Sequence, residues 1–178
     1  PNVGSLARRY GLVKSDTVLL IGTPIDFRLG YGADNMFPQN PKLIEIMMDA
    51  GEIGKNRDVD VGVVGDTKAI LGQIMEQLRA SGYRSPGTSW VEEVITEDQA
   101  LKAADEEMLN STQTPIHPMR VMKELRDILD YDATVIGDGG DFVTFAARVL
   151  KINRPGHWLD PGSFGCLGAG SGFAAAAQ

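Results

Sequence analysis

Glycines at positions 162, 165, 168, 170 and 172, followed by the run Phe173-Ala174-Ala175-Ala176-Ala177, put a flexible backbone next to a strong helix former. Glycine tolerates positive φ and close approach, and the first N–H groups of a helix face outward, so this segment can hold a phosphate by its main chain. A tight packing loop with no ligand is the other reading of the same residues. Gly137-Asp138-Gly139-Gly140-Asp141 repeats the arrangement at a strand-to-helix turn and would offer a second wall, or a turn that binds nothing. Arg28, within Asp26-Phe27-Arg28, could hold a nucleotide phosphate or stand solvated. Asp49 and Asp66 follow strand-like runs, where each could accept hydrogen bonds from a ribose or adenine or serve as a cap. His117 lies between prolines without a carboxylate or nucleophile beside it in sequence, which favours a structural role. Cys166 is a small apolar filler unless its thiol is activated. These residues assemble no nucleophile, base and orienting group.

The elements that would position these groups alternate in α/β fashion. Ser5 to Val13 reads as a short helix, and Thr17-Val18-Leu19-Leu20-Ile21 as a buried parallel strand ended by Gly22. Further strands are expected at Leu43-Ile44-Glu45-Ile46-Met47 and from Val59 to Val64. Asp66 can cap a helix whose Ile70, Leu71, Ile74, Met75 and Leu78 form an apolar stripe expected to lie on the sheet. Gly82 to Thr88 breaks the pattern, and Ser89 with Glu92 reads as a capping box opening an acidic helical stretch to Leu109. A second α/β region follows. It has a helix carrying Val121, Met122, Leu125, Ile128 and Leu129, a strand Ala133-Thr134-Val135-Ile136, a helix from about Phe142 to Leu150, and a short strand at Trp158-Leu159. In open parallel sheets ligands bind beyond the carboxyl ends of strands, which is where Arg28, Asp49, Asp66 and both glycine segments fall.

Composition narrows the classes. At 178 residues the chain is long enough for one or two domains with a real core. A formal charge of −7 without clustered Lys and Arg argues against nucleic-acid partners, and no apolar run reaches the roughly 20 residues a membrane span needs. One cysteine excludes an intrachain disulfide, and two histidines leave too few soft ligands for zinc. A start on Pro1 without a signal-peptide pattern fits a cytoplasmic setting and reads as interior sequence. The terminal helix stops within about two turns without a C-cap, so the native chain is expected to continue.

Three stretches carry a resemblance: Asp16 to Arg28, the run Glu52-Ile53-Gly54-Lys55-Asn56-Arg57 before Val63-Val64-Gly65-Asp66, and Gly165-Cys166-Leu167-Gly168. Together they resemble thiamine-diphosphate-dependent enzymes of the acetolactate synthase type, over nearly the whole chain. The resemblance implies a parallel-sheet, Rossmann-like central domain, incomplete here, followed by the opening of a thiamine-diphosphate-binding α/β domain. Residues 1–82 would be the later part of the central domain, 83–114 a largely helical linker, and 115–178 the truncated start of the diphosphate-binding domain. By position, Gly140, Asp141 and Phe142 match the turn that approaches the diphosphate. Gly165, Cys166, Leu167 and Gly168 match the loop on the aminopyrimidine, with Leu167 where the family usually has methionine. Arg28, Asp49 and Asp66 match the strand ends of the central domain that in several members hold FAD or another ADP-type nucleotide.

The resemblance further implies, for a complete enzyme, a transferase that uses thiamine diphosphate with Mg to decarboxylate a 2-ketoacid such as pyruvate and join the product to a second carbonyl. That is a step of branched-chain amino acid biosynthesis. The family's activating glutamate and its metal motif match nothing in this chain, and Gly137-Asp138-Gly139 is misplaced for the latter. No catalytic residue or metal ligand is assigned, and the chain alone is expected to be inactive. Leu159 to Gly165 also resembles 2-hydroxyacyl-CoA lyases and oxalyl-CoA decarboxylases, which cleave carbon–carbon bonds. A non-catalytic nucleotide-binding module and a proteolytic core that binds nothing are the remaining readings. Incomplete sheets with open edges predict a homo-oligomer.

Overall fold

A computed structural model of the protein describes residues 7–85, 87 and 89–178. In chain order the elements are α1 (Arg8–Lys14), β1 (Thr17–Ile21), β2 (Lys42–Met47), β3 (Val61–Val64), α2 (Thr67–Ala80), α3 (Trp90–Ala104), α4 (Glu106–Leu109), α5 (Pro118–Ile128), β4 (Val135–Ile136), α6 (Gly140–Val149), β5 (Trp158–Leu159) and α7 (Gly170–Ala176). The α/β class with parallel strands is what the structure has. The chain divides into two compact units, Arg9–Val94 and Ile95–Gln178, the latter joined by Ala7 and Arg8.

In the first unit β1, β2 and β3 form a parallel sheet in that order, with Thr17 opposite Lys42 and Ile44 opposite Val61. The central strand β2 is covered on both faces, which is why it reads as an apolar run. Val18 and Leu20 of β1 and Leu43 of β2 share one face and pack with Ile25, Leu29 and Phe37 from the β1–β2 connection. That connection therefore supplies core as well as loop. Asp66 caps α2 as expected, accepting the Ala69 N–H at 2.8 Å. The apolar stripe of α2 is not laid on the sheet, however. Leu71, Ile74, Met75 and Leu78 remain 37% to 47% exposed, and Ile70 alone is half-buried. Helical spacing makes a stripe but does not provide the surface that covers it.

In the second unit β4 and β5 pair in parallel, Val135 opposite Trp158. Its core gathers Leu109, Met119, Met122, Ala146, Val149 and Leu150. The buried Asp105 carboxylate accepts Arg148 Nε at 2.7 Å and Nη2 as well, tying the α3–α4 junction to α6. His117 caps α5 through Nδ1, which accepts the Met119 N–H at 3.1 Å, and its ring meets Phe145 edge-on.

Several boundaries differ from the sequence reading. The first helix is Arg8–Lys14, while Ser5 and Leu6 lie outside the described residues. The hydroxyl of Ser89 donates to Glu93. Strands β3 and β4 are shorter than their apolar runs, because a strand extends only as far as its partner pairs. Helix α6 starts at Gly140 rather than Phe142, because Gly139 takes φ of 84° and turns the chain there. Helix α7 starts at Gly170, before the apolar run at Phe173. Among the described residues no helix is long and apolar enough to cross a membrane.

Candidate functional site

In the first unit the parallel register brings the exits of β1, β2 and β3 to one edge of the sheet, so the segments carrying Arg28, Asp49 and Asp66 leave side by side. Each of these residues already has a local partner. Asp26 accepts the Arg28 backbone N–H at 2.9 Å, and its carboxylate takes Arg28 Nε at 3.0 and 3.1 Å and Nη2 at 2.6 Å. The hydrogen bonds from the Arg28 side chain hold the Asp26 carboxyl below the usual range, against the opposing effect of partial burial. Asp49 accepts the Gly51 N–H at 2.8 Å and opens a single 3-10 turn at Ala50–Glu52. Asp66 is the α2 cap already described.

The loop between β1 and β2 is fastened from a distance. Asn56 Nδ2 donates to the Ile25 carbonyl at 2.6 Å, and Arg57 donates to the carbonyls of Gly32 at 2.6 Å and Pro38 at 3.1 Å. The Arg57 guanidinium also lies 5.3 Å from the centre of the Phe37 ring. Gly32 has no room for a side chain, since a Cβ there would sit 3.1 Å from Arg57 Cβ and 3.3 Å from the Asn56 carbonyl oxygen. Tyr31, a non-glycine residue at φ of 52°, projects its ring with 61% exposure. Beneath the loops Glu45 is fully buried in β2, and its Oε2 accepts the Gly54 N–H at 2.9 Å. Among the described residues its Oε1 has no hydrogen-bond partner.

In the second unit the β4–β5 pairing places the turn after β4 beside the turn after β5. Gly139 lies against the second glycine segment: a Cβ on it would stand 2.9 Å from the Cys166 carbonyl oxygen, 3.0 Å from Leu167 Cδ2 and 3.2 Å from the Gly165 carbonyl oxygen. The Leu167 side chain thus lies over the Gly139–Gly140 turn while remaining 75% exposed. Asp138 crosses to the other segment and accepts the Gly170 N–H at 2.6 Å. Asp160 shapes the intervening turn, accepting Trp158 Nε1 and the Gly162 N–H, each at 2.7 Å.

Helix α6 carries no side-chain cap, and its first-turn N–H groups, those of Gly140, Asp141 and Phe142, have no acceptor within the helix. Asp141 sits in that first turn, where the helix dipole favours a carboxylate. Phe142 and Cys166 are exposed. Chemically, this is backbone donation from α6, an apolar lid at Leu167 and the acids Asp138 and Asp141 nearby. Among the described residues no group of three or more His, Cys, Asp or Glu side chains is arranged to hold a metal ion.

The structure thus gathers Gly140, Asp141 and Phe142 with Gly165, Cys166, Leu167 and Gly168 in one unit, and Arg28, Asp49 and Asp66 along one sheet edge in the other. Sequence reasoning missed Glu45, Asn56, Arg57 and Asp138 as shaping residues. Glu45 left one signal, an acid within an otherwise apolar strand run. The others act across 19 to 32 residues and left none.

Residues 2–74 match the model of the thiamine pyrophosphate enzyme central domain. The chain is 38% identical over 176 residues to the acetolactate synthase large subunit of Mycobacterium tuberculosis, an alignment that takes in 98% of this chain and 30% of that protein. It is 36% identical to 2-hydroxyacyl-CoA lyase 2 of Bos taurus and 32% identical to that of Homo sapiens, covering 96% of this chain and 27% of each of those proteins. The chain therefore spans about a third or less of the relatives it matches. Residues 2–74 are thus similar to the central domain of thiamine pyrophosphate enzymes.

Proposed function

We propose that this chain is part of an acetolactate synthase-like enzyme and that its second unit holds thiamine diphosphate. The observation that carries the reading is the contact of Gly139 with Cys166 and Leu167 beside the uncapped start of α6. The backbone N–H groups of Gly140, Asp141 and Phe142 would donate to the diphosphate, and Gly165, Cys166 and Gly168 would lie along the aminopyrimidine. Leu167 supplies the apolar contact beneath it. Asp141 is unfavourable beside a diphosphate unless a metal or another cation intervenes. When bound, thiamine diphosphate supplies the nucleophilic carbon that decarboxylates a 2-ketoacid such as pyruvate before carboligation.

The first unit is the central domain, and an ADP-type nucleotide such as FAD would meet Arg28, Asp49 and Asp66 at its sheet edge. Arg28 would have to exchange Asp26 for a phosphate to bind it. The exposed α2 stripe supports assembly into a homo-oligomer or coverage by further parts of the protein. A cytoplasmic enzyme is consistent with these features.

The bovine and human lyases favour a second reading, carbon–carbon cleavage of a 2-hydroxyacyl-CoA. Assay of the complete protein with thiamine diphosphate, Mg²⁺ and pyruvate separates the two. Acetolactate as product supports the synthase. Cleavage of a 2-hydroxyacyl-CoA without acetolactate formation supports the lyase, and absence of thiamine diphosphate binding removes both.

A further inference from the structure

We infer that Asp138 is a positioning residue that sets the spacing between the two glycine segments and thereby the fit of the cofactor site. The inference rests on the reading that those segments hold thiamine diphosphate. Asp138 follows Gly137, whose N–H is bonded to the Leu159 carbonyl at 2.9 Å, so its backbone is anchored to the β4–β5 sheet. From that anchor its Oδ1 accepts the Gly170 N–H at 2.6 Å across 32 residues of sequence. Helix α7 has no side-chain cap of its own, so Asp138 serves as its cap from another element. The approach is close on both sides. A Cβ on Gly170 would stand 3.0 Å from Asp138 Cβ and 3.1 Å from its Cγ, while Gly139, the next residue, abuts the Cys166 carbonyl oxygen. One carboxylate flanked by two glycines thus fixes how far the 165–170 segment sits from the start of α6. Asp138 acts through the loop and does not itself touch the ligand.

The test is calorimetric titration of thiamine diphosphate, with Mg²⁺ present, into the complete protein. Asp138→Ala is expected to weaken binding by roughly tenfold or more. Asp138→Asn keeps an acceptor oxygen at the same reach and should bind within about threefold of the unsubstituted protein. If Asp138→Ala does not fold, Asp138→Gly, which suits a turn and carries no acceptor, should show the same loss. Hydrogen exchange of the Gly165–Gly170 amides, read without ligand, should rise in the Ala or Gly variant and not in Asn. Unchanged affinity in a folded Ala or Gly variant would overturn the inference, as would failure of Asn to rescue. An unsubstituted protein that binds no thiamine diphosphate would instead overturn the reading beneath it.

Discussion

Arg57 and Asp138 each fasten a glycine-bearing loop, from opposite sides of the hydrogen bond. Arg57 donates to the carbonyls of Gly32 and Pro38 and lies on Phe37, so the first-unit loop is gripped by its acceptors and closed over a core. Asp138 accepts a single amide, and the rest of the second-unit arrangement is backbone against backbone with little side-chain filling. The charged groups differ in the same way. Arg28, Asp49 and Asp66 are all engaged by neighbours within three residues, whereas α6 begins without any side-chain cap. A ligand at the first edge must displace existing bonds, and one at the second meets donors that nothing in their own helix satisfies. The net return on binding is accordingly larger in the second unit.

Substitutions can break this contrast, beginning at Gly139. Gly139→Ala forces a side chain to φ of 84° and against a main-chain oxygen at 2.9 Å, which cannot swing aside as a side chain would. We expect a loss of about 2–4 kcal/mol in the second unit and a fall of roughly 100-fold in thiamine diphosphate affinity, read by urea unfolding and titration. Arg57→Ala removes two hydrogen bonds to carbonyls and the contact with Phe37, and should cost about 2–3 kcal/mol in the first unit with cofactor affinity unchanged. Glu45→Ala removes the buried acceptor of the half-buried Gly54 N–H and should cost about 1–3 kcal/mol, again confined to the first unit.

The smallest effect sharpens the contrast through pH. Hydrogen bonds from Arg28 hold the Asp26 carboxyl below its ordinary value of 3.8, so the charged form is the one favoured in the folded state. A depressed folded value means stability that is present above about pH 4 and lost as pH falls through the folded value. Because Arg28 is substantially exposed, solvent screening reduces the contribution to a few tenths of a kcal/mol. Asp26→Asn should therefore be slightly less stable than the unsubstituted protein at pH 7, and the gap should close as pH falls through the folded value in paired urea unfolding curves.

Much of the scaffold was legible in the residues. Thr17 to Ile21 and Leu43 to Met47 read as parallel strands because a sheet covered on both faces asks for continuous apolar runs; β2 is so covered, whereas the edge strand β1 buries only Val18 and Leu20, and Asp66 read as a cap because its short carboxylate reaches a first-turn amide. The glycines marked both walls of the second site. What fixes their distance was not legible, because Asp138 and Gly170 meet only once the β4–β5 pair has formed. Asn56 and Arg57 escaped for the same reason: their acceptors are main-chain carbonyls, which every residue type possesses. The start of α6 at Gly140 depended on a positive φ at Gly139, while neighbouring glycines could equally have made the turn. The α2 stripe had the right period, but periodicity cannot say whether its covering surface belongs to the same unit.

Parallel titration of thiamine diphosphate and Mg²⁺ into the complete protein, Gly139→Ala and Arg57→Ala tests the central claim most directly. The account predicts saturable binding by the unsubstituted protein and by Arg57→Ala at similar affinity, with Gly139→Ala weakened roughly 100-fold. Equal binding by Gly139→Ala, in a variant shown to be folded, would contradict the assignment of the cofactor to the paired glycine segments.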